Sequence, residues 1–275
     1  MAASSFNGES IEQTGYYELN EEMELIPVDN VENQKFILDK FQIPRQVVVV
    51  EESSVLVVDD RGRRWRLPLG VSDFTRLTEL SFLRISREVA TERDLFSCHG
   101  TFYELPAENA DGFAKIRPIS SHPFRIHDYA SYRGMLIMTG INPGEIQGNS
   151  HVIRSADGKA AVWAGVIDDL WKLGKPVGMG GPWFNTEVHP GEPSDPFLIG
   201  FYDIKTLEIS HSSPLPVVFD IEVDPVGNGS WMKYMTLVVP AGESYLYLFP
   251  EHFQARWIRF VSHQQTSATA WLEYK

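Results

Sequence analysis

From Gln46 onward the chain runs in short stretches of β-branched and aromatic residues broken by clusters of Gly, Pro, Asn and Asp. Short apolar runs of this composition, bounded by turn residues, read as strands. The pattern predicts strands at 47–50, 55–58, 63–67, 82–85, 101–105, 113–116, 133–139, 152–154, 161–164, 197–202, 206–210, 217–223, 232–239, 245–249, 257–261 and 268–274. Helical spacing competes in one place. Val166-Ile-Asp-Asp-Leu-Trp-Lys-Leu173 is short, meets Gly174 and is followed by Pro176, so it gives a turn or two. Residues 1–45 are acidic and weakly patterned. They read as an extension, with one short strand or helix around Lys35–Lys40, ahead of a single domain over residues 46–275.

Turn chemistry links the strands. Asp59-Asp-Arg-Gly62, Ala156-Asp-Gly-Lys159 and Pro240-Ala-Gly-Glu243 each sit between two predicted strands and predict antiparallel hairpins. So many short strands with such turns define an all-β protein, for which sandwich, barrel and propeller are the available architectures. Strand groups recurring every ~45–60 residues favour a β-propeller-like fold of about four or five blades, either a small closed ring or an incomplete one.

Ser155-Ala-Asp-Gly-Lys-Ala-Ala-Val-Trp163 resembles the Asp box of sialidase-like propellers, in which an Asp-Gly turn joins two blade strands and a following Trp packs beneath it. Ser155, Asp157, Gly158 and Trp163 fit that outline; Ala161 and Val162 replace its usual threonine or small residue. Most of residues 46–275 resembles a family of uncharacterised bacterial propeller-like proteins often found among carbohydrate-degrading functions. The likeness lies in Thr91-Glu-Arg-Asp-Leu95, His99-Gly-Thr-Phe-Tyr-Glu-Leu-Pro106, the run from Trp163 to Pro176, and Ser194-Asp-Pro-Phe197. The resemblance implies carbohydrate chemistry but brings no catalytic residues with it, because Asp boxes are structural.

Charge narrows the partners. With 24 basic against 37 acidic side chains among 275 residues the net charge is −13, and the densest basic run, Arg61 to Arg66, follows Asp59 and Asp60. A nucleic-acid backbone needs a basic stripe, so none is expected as partner. No apolar run approaches the ~18 residues that span a bilayer, and the 43% hydrophobic and 12% aromatic content suffices for a core. A soluble globular protein is expected, with no membrane partner. The first residues lack a signal-peptide pattern, which is compatible with a secreted or periplasmic protein whose leader was removed. A single cysteine, Cys98, rules out an intramolecular disulfide.

No phosphate loop, His-Glu-x-x-His, Gly-x-Ser-x-Gly elbow or dinucleotide fingerprint is present. Cys98 and His99 are adjacent and point to opposite strand faces, so they read as structural. Polar residues concentrate in three loops. One runs from Thr91, Glu92, Arg93 and Asp94 to His99 and Glu104, and one from His122 and His127 to Tyr132 and Arg133. The third holds Asp168, Asp169, Trp171 and Lys172 and leads to Trp183.

Paired carboxylates beside aromatic rings are what glycoside hydrolysis requires. The candidates are Asp168 or Asp169 with Glu104, and Asp128 as orienter or third acid. His99, His127 and Tyr129 would bind hydroxyls or tune a carboxyl, Arg93 and Arg133 would clamp a uronate, and Trp171 and Trp183 would stack on a sugar ring. The competing readings are local: Asp168 as helix cap, Glu104 and the arginines as ion-pair partners, and Trp163, Trp231, Trp257 and Trp271 as core. His122, His127 and Asp128, joined by His99 or His151, offer a metal set without tight spacing, so no metal or other cofactor is assigned. The Asn228-Gly-Ser230 sequon matters only where the protein is glycosylated. The expected partner is an oligosaccharide or glycoside, handled by a hydrolase-like enzyme, or alternatively by a lectin-like module or an assembly domain; a homo-oligomer is compatible with all three.

Overall fold

The computed structural model describes residues 1–6, 11–40, 48–70, 86–90, 93–122, 124, 126–144 and 148–275. The strand predicted at 82–85, the residues Thr91 and Glu92, and the side chain of Arg93 lie outside what is described. In chain order the elements are β1 (Ala2–Phe6), β2 (Ile11–Leu19), β3 (Leu25–Val28), α1 (Val31–Lys40), β4 (Val48–Val50), β5 (Val55–Val58), β6 (Arg64–Leu67), β7 (Ser86–Ala90), β8 (Arg93–Cys98), β9 (Thr101–Pro106), β10 (Arg117–Ser121), β11 (Tyr129–Tyr132), β12 (Met135–Met138), β13 (Val152–Arg154) and β14 (Ala161–Gly165). They continue as β15 (Gly178–Val188), β16 (Phe197–Leu198), β17 (Lys205–His211), β18 (Val217–Asp224), β19 (Met232–Val239), β20 (Ser244–Leu248), β21 (Trp257–Ser262) and β22 (Thr266–Tyr274). The protein is all-β, and among the described residues its sheets are antiparallel apart from one parallel contact of β16 with β6.

Five sheets form. β1–β3 make the N-terminal sheet, β7–β10 a first four-stranded meander, and β11–β14 a second. The remaining strands make a sandwich of a long sheet, ordered β19-β18-β21-β16-β6-β5-β4, and a short sheet, ordered β15-β22-β17-β20. None of the five closes on itself among the described residues. The meanders are local in sequence, whereas the sandwich joins strands from both ends of the chain.

Strand parity explains how the sheets stack. In the first meander Leu95 and Phe102 enter one core while their neighbours Phe96 and Tyr103 enter the sandwich core. In the second, Leu136, Met138 and Trp163 pack toward the first meander, and Ile137, Val162 and Ala164 pack against Tyr17 and Leu25 of the N-terminal sheet. Both meanders are therefore packed on two faces. Asp157 ties the outermost layer on: one carboxylate oxygen accepts from the Ser155 hydroxyl and the Lys159 N–H, the other from the Tyr17 hydroxyl.

Three local expectations change. The strand expected at 113–116 is absent: residues 112–115 form a 3-10 turn, because Asp111 and Gly112 both adopt left-handed backbone (φ 73 and 50). The Pro240–Glu243 turn is not a hairpin, since β19 pairs with β18 in the long sheet and β20 with β17 in the short one; the turn arches across the sandwich. The first 45 residues hold three strands and a helix, more than their polarity suggests.

Candidate functional site

The structure brings two of the sequence candidates together through a residue not singled out from the sequence. Arg117 on β10 forks onto Glu104 directly across on β9, and its guanidinium lies 5.7 Å from the centre of the Trp171 ring. Trp171, 54% exposed, is the most open tryptophan described. Beside this group Arg256 stacks on Phe201 at 5.0 Å and donates to the carbonyls of Lys115 and Ile116. Glu104 is thus the ion-pair partner of Arg117, which holds one carboxylate oxygen with two nitrogens.

The other carboxylates serve local structure. Asp169 accepts the N–H of Val166 at the start of the 3-10 helix 167–172 and pairs with Lys172 at 2.8 Å. The Lys172 bond holds its carboxyl below the usual range, opposite to what a general acid needs. Asp168, the expected cap, is exposed on the same turn, and Asp169 does the capping. Asp128 accepts from the N–H of Tyr129.

Three proposed ligand contacts are placed elsewhere. Trp183 is 5% exposed and packs between Phe219 and Phe260 in the sandwich core, because the bulge after Gly180 turns it inward. Tyr129 is buried and donates to the Leu95 carbonyl at 2.5 Å. Arg133 is an exposed turn residue: with Gly134 it occupies the two left-handed positions (φ 49 and 78) of the β11–β12 hairpin, a type I′ turn.

The histidines are likewise dispersed. His99 Nδ1 accepts the N–H of Gly70, and burial pushes its pKa down to about 4. His122 is buried beside Phe102 with its ring facing Ser97, also near pKa 4 through desolvation. Burial lowers His127 too, and His151 stacks on Trp163. Among the described residues no group of three or more His, Cys, Asp or Glu is placed to hold a metal ion.

A different surface has the composition of a ligand face. On β22 the residues Ala268, Ala270, Leu272 and Tyr274 are buried, so Ser267, Thr269, Trp271 and Glu273 face outward. Trp271 therefore lies on the polar side of its strand, half-buried, rather than in the core. The ring of Phe184, 37% exposed, stands 5.6 Å from it. Gly181 allows this: a β-carbon there would sit 1.7 Å from the Ala270 carbonyl, and only glycine lets β15 pass so close before the bulge turns Phe184 out. Across β17 the outward residues are Thr206, Glu208 and Ser210, and on the edge strand β20 they are Ser244, Leu246 and Leu248. The alternation in Thr266–Tyr274 carries the signal that finds Trp271: counted by parity, it falls with Ser267 and Thr269.

The outer face of the long sheet is built differently. Arg259 pairs with Glu222 at 2.7 Å and covers Trp231 at 4.2 Å. Asp220 receives Lys233, Thr236 and His263; burial alone would raise its carboxyl, but those three bonds outweigh it and hold it well below the usual range. Arg66 joins Glu51 and Asp195. There the charges answer one another, whereas on the short sheet Glu208 has no ion-pair or hydrogen-bond partner among the described residues.

No protein-family model and no curated protein sequence matches the chain. Among solved structures it is similar to the crystal structure of PirA, at 16% identity and TM-score 0.21 over 36% of this chain and 84% of that one. It is also similar to a CBM4 structure, at 14% identity and TM-score 0.17 over 57% of this chain and 76% of that one.

Proposed function

We propose that this protein binds glycans without cleaving them, through the outer face of the short sheet. The observation that carries the reading is Trp271, placed with Phe184 on the polar side of a sheet among hydroxyls and a carboxylate. A flat aromatic face stacks on the apolar side of a pyranose while neighbouring acceptors and donors take its hydroxyls. The hydrolase reading has less support, because Glu104 is held by Arg117 and Asp169 is held below the usual carboxylate range. The resemblance to propeller-like proteins enters through the three stacked sheets β1–β3, β11–β14 and β7–β10, which we infer to be blades of an open, partial propeller set beside the sandwich.

The test is affinity electrophoresis and calorimetry against immobilised and soluble polysaccharides, with Trp271→Ala, Phe184→Ala and Trp171→Ala beside wild type. Trp271→Ala is expected to abolish retention, Phe184→Ala to weaken it, and Trp171→Ala to leave it unchanged. Retention that survives Trp271→Ala and is lost in Trp171→Ala would move the site to the Arg117 group. Release of reducing sugar by wild type would restore the enzyme reading.

A further inference from the structure

The charge on this face points to the kind of sugar it takes, an inference that rests on the glycan reading above. Glu208 lies directly across from Trp271 on one side and from Leu246 on the other. Neighbouring strands are ~4.8 Å apart, so the row from Trp271 over Glu208 to Leu246 covers about 10 Å, a stretch that a disaccharide unit fills. The flanking acids are occupied: Glu273 pairs with Lys275 at 3.2 Å, and Glu187 accepts from the Gln265 amide at 2.8 Å. Glu208 alone stands exposed between the ring and the leucine with its acceptors unused, on strands whose outward residues include no arginine or lysine.

We propose that Glu208 sets the specificity of the Trp271 face. It accepts hydrogen bonds from the hydroxyls of a neutral oligosaccharide stacked on Trp271, and it repels chains carrying uronate or sulfate. An ionised carboxylate accepts hydroxyl protons more strongly than a neutral amide, and the same charge beside a ligand carboxylate is repulsive whenever no cation intervenes. Leu246, on the far side, contacts the apolar edge of the second sugar.

The experiment measures binding of cellohexaose, xylohexaose, mannohexaose and oligogalacturonate to wild type, Glu208→Gln, Glu208→Lys and Trp271→Ala. Glu208 is exposed, so its variants keep the fold, which circular dichroism verifies. Wild type is expected to bind at least one neutral oligosaccharide and not oligogalacturonate. Glu208→Gln then weakens the neutral ligand about tenfold, the cost of one charge-assisted bond, and Glu208→Lys gains oligogalacturonate. If Trp271→Ala abolishes binding while both Glu208 variants keep the wild-type preference, the role of Glu208 is wrong and the glycan reading stands. If Trp271→Ala binds like wild type, or wild type binds none of the panel, the glycan reading of this face falls and the role of Glu208 with it.

Discussion

The first meander shares the sandwich core through Phe96 and Tyr103, and beside that packing Arg256 closes the seam with hydrogen bonds. One of its terminal nitrogens donates to the carbonyls of Lys115 and Ile116, and its plane covers Phe201. Nearby, Trp257 Nε1 donates to the Ala114 carbonyl at 2.9 Å, and Lys115 reaches the Val226 carbonyl at 2.5 Å. Arg256→Ala removes two charged hydrogen bonds at ~1.5–3 kcal/mol each and a stacking contact of ~0.5–1 kcal/mol, so the seam weakens by about 3.5–7 kcal/mol at most. Gly227→Ala attacks the same seam sterically. Its φ of +69 is a left-handed geometry costing ~1–2 kcal/mol for a residue with a β-carbon, and that carbon would stand 2.2 Å from the Ala114 carbonyl.

The assay is native-state hydrogen exchange resolved by segment. Both variants are expected to speed exchange in β9 and β10 while β18 and β21 keep wild-type protection, because opening the seam exposes the meander before the sandwich core gives way. The effects should combine less than additively, since both act on one contact. Unchanged exchange in β9 and β10 of Arg256→Ala would refute the reasoning. So would equal loss of protection across all four strands, which would mean that meander and sandwich unfold as one unit.

Other consequences follow from burial and backbone geometry. His122 has a folded pKa near 4 against an ordinary 6.5, so the unfolded chain takes its proton first: stability is full above pH 6.5 and falls as pH drops toward 4, by about 3 kcal/mol in the limit. Thermal melts at pH 7.5 and 4.5 should show a smaller acid loss in His122→Gln; an equal loss assigns the sensitivity elsewhere. Cys98 is buried with its thiol pushed up to about 12, so maleimide labelling at pH 8 should require denaturant, and rapid labelling of the native protein would contradict its placement. Arg133→Asn places a residue tolerant of left-handed backbone in the type I′ turn and should raise stability by a few tenths to ~1 kcal/mol without altering glycan affinity; reduced affinity would return Arg133 to the binding surface.

Runs of β-branched and aromatic residues between turn clusters located most of the sandwich strands, and β5, β13 and β19 match the predicted limits residue for residue. The misses share a physical cause. β15 begins Gly178-Met-Gly-Gly-Pro182, which reads as a loop because glycine and proline weaken strands; its glycines serve a close approach to β22 that only the folded partner reveals. β10 carries Pro118, and β1–β3 draw their stability from Tyr17 and Leu25 packing on a sheet more than a hundred residues away. Pairing was legible where a turn joins strands of one sheet, as at Asp59–Gly62, and illegible where the chain crosses between sheets, as at Pro240–Glu243.

The candidate site was legible only in part, because residue type announces chemistry but not neighbours. Acids and tryptophans were sought by their density in loops, and that criterion found Glu104 and Trp171, which do meet, through Arg117. It also selected Trp183, which a bulge turns into the core. It passed over Trp271, whose parity with Ser267 and Thr269 already set it apart from Ala268, Ala270 and Leu272.

The two outer faces of one sandwich show why exposure alone is a weak guide to function and partnering a better one. Trp231 and Trp271 are both partly open, yet the guanidinium of Arg259 covers the first and is itself held by Glu222. That face is electrostatically closed, and a ligand would have to break an ion pair to reach the ring. Among the described residues Trp271 has Phe184 beside it and Glu208 across from it, with no cation over its ring, so a sugar could stack there without displacing any ion pair. An acidic chain gains no long-range attraction for a neutral ligand and repels an anionic one. Affinity at such a face must come from stacking and short hydrogen bonds, the two interactions that Trp271 and Glu208 are placed to make.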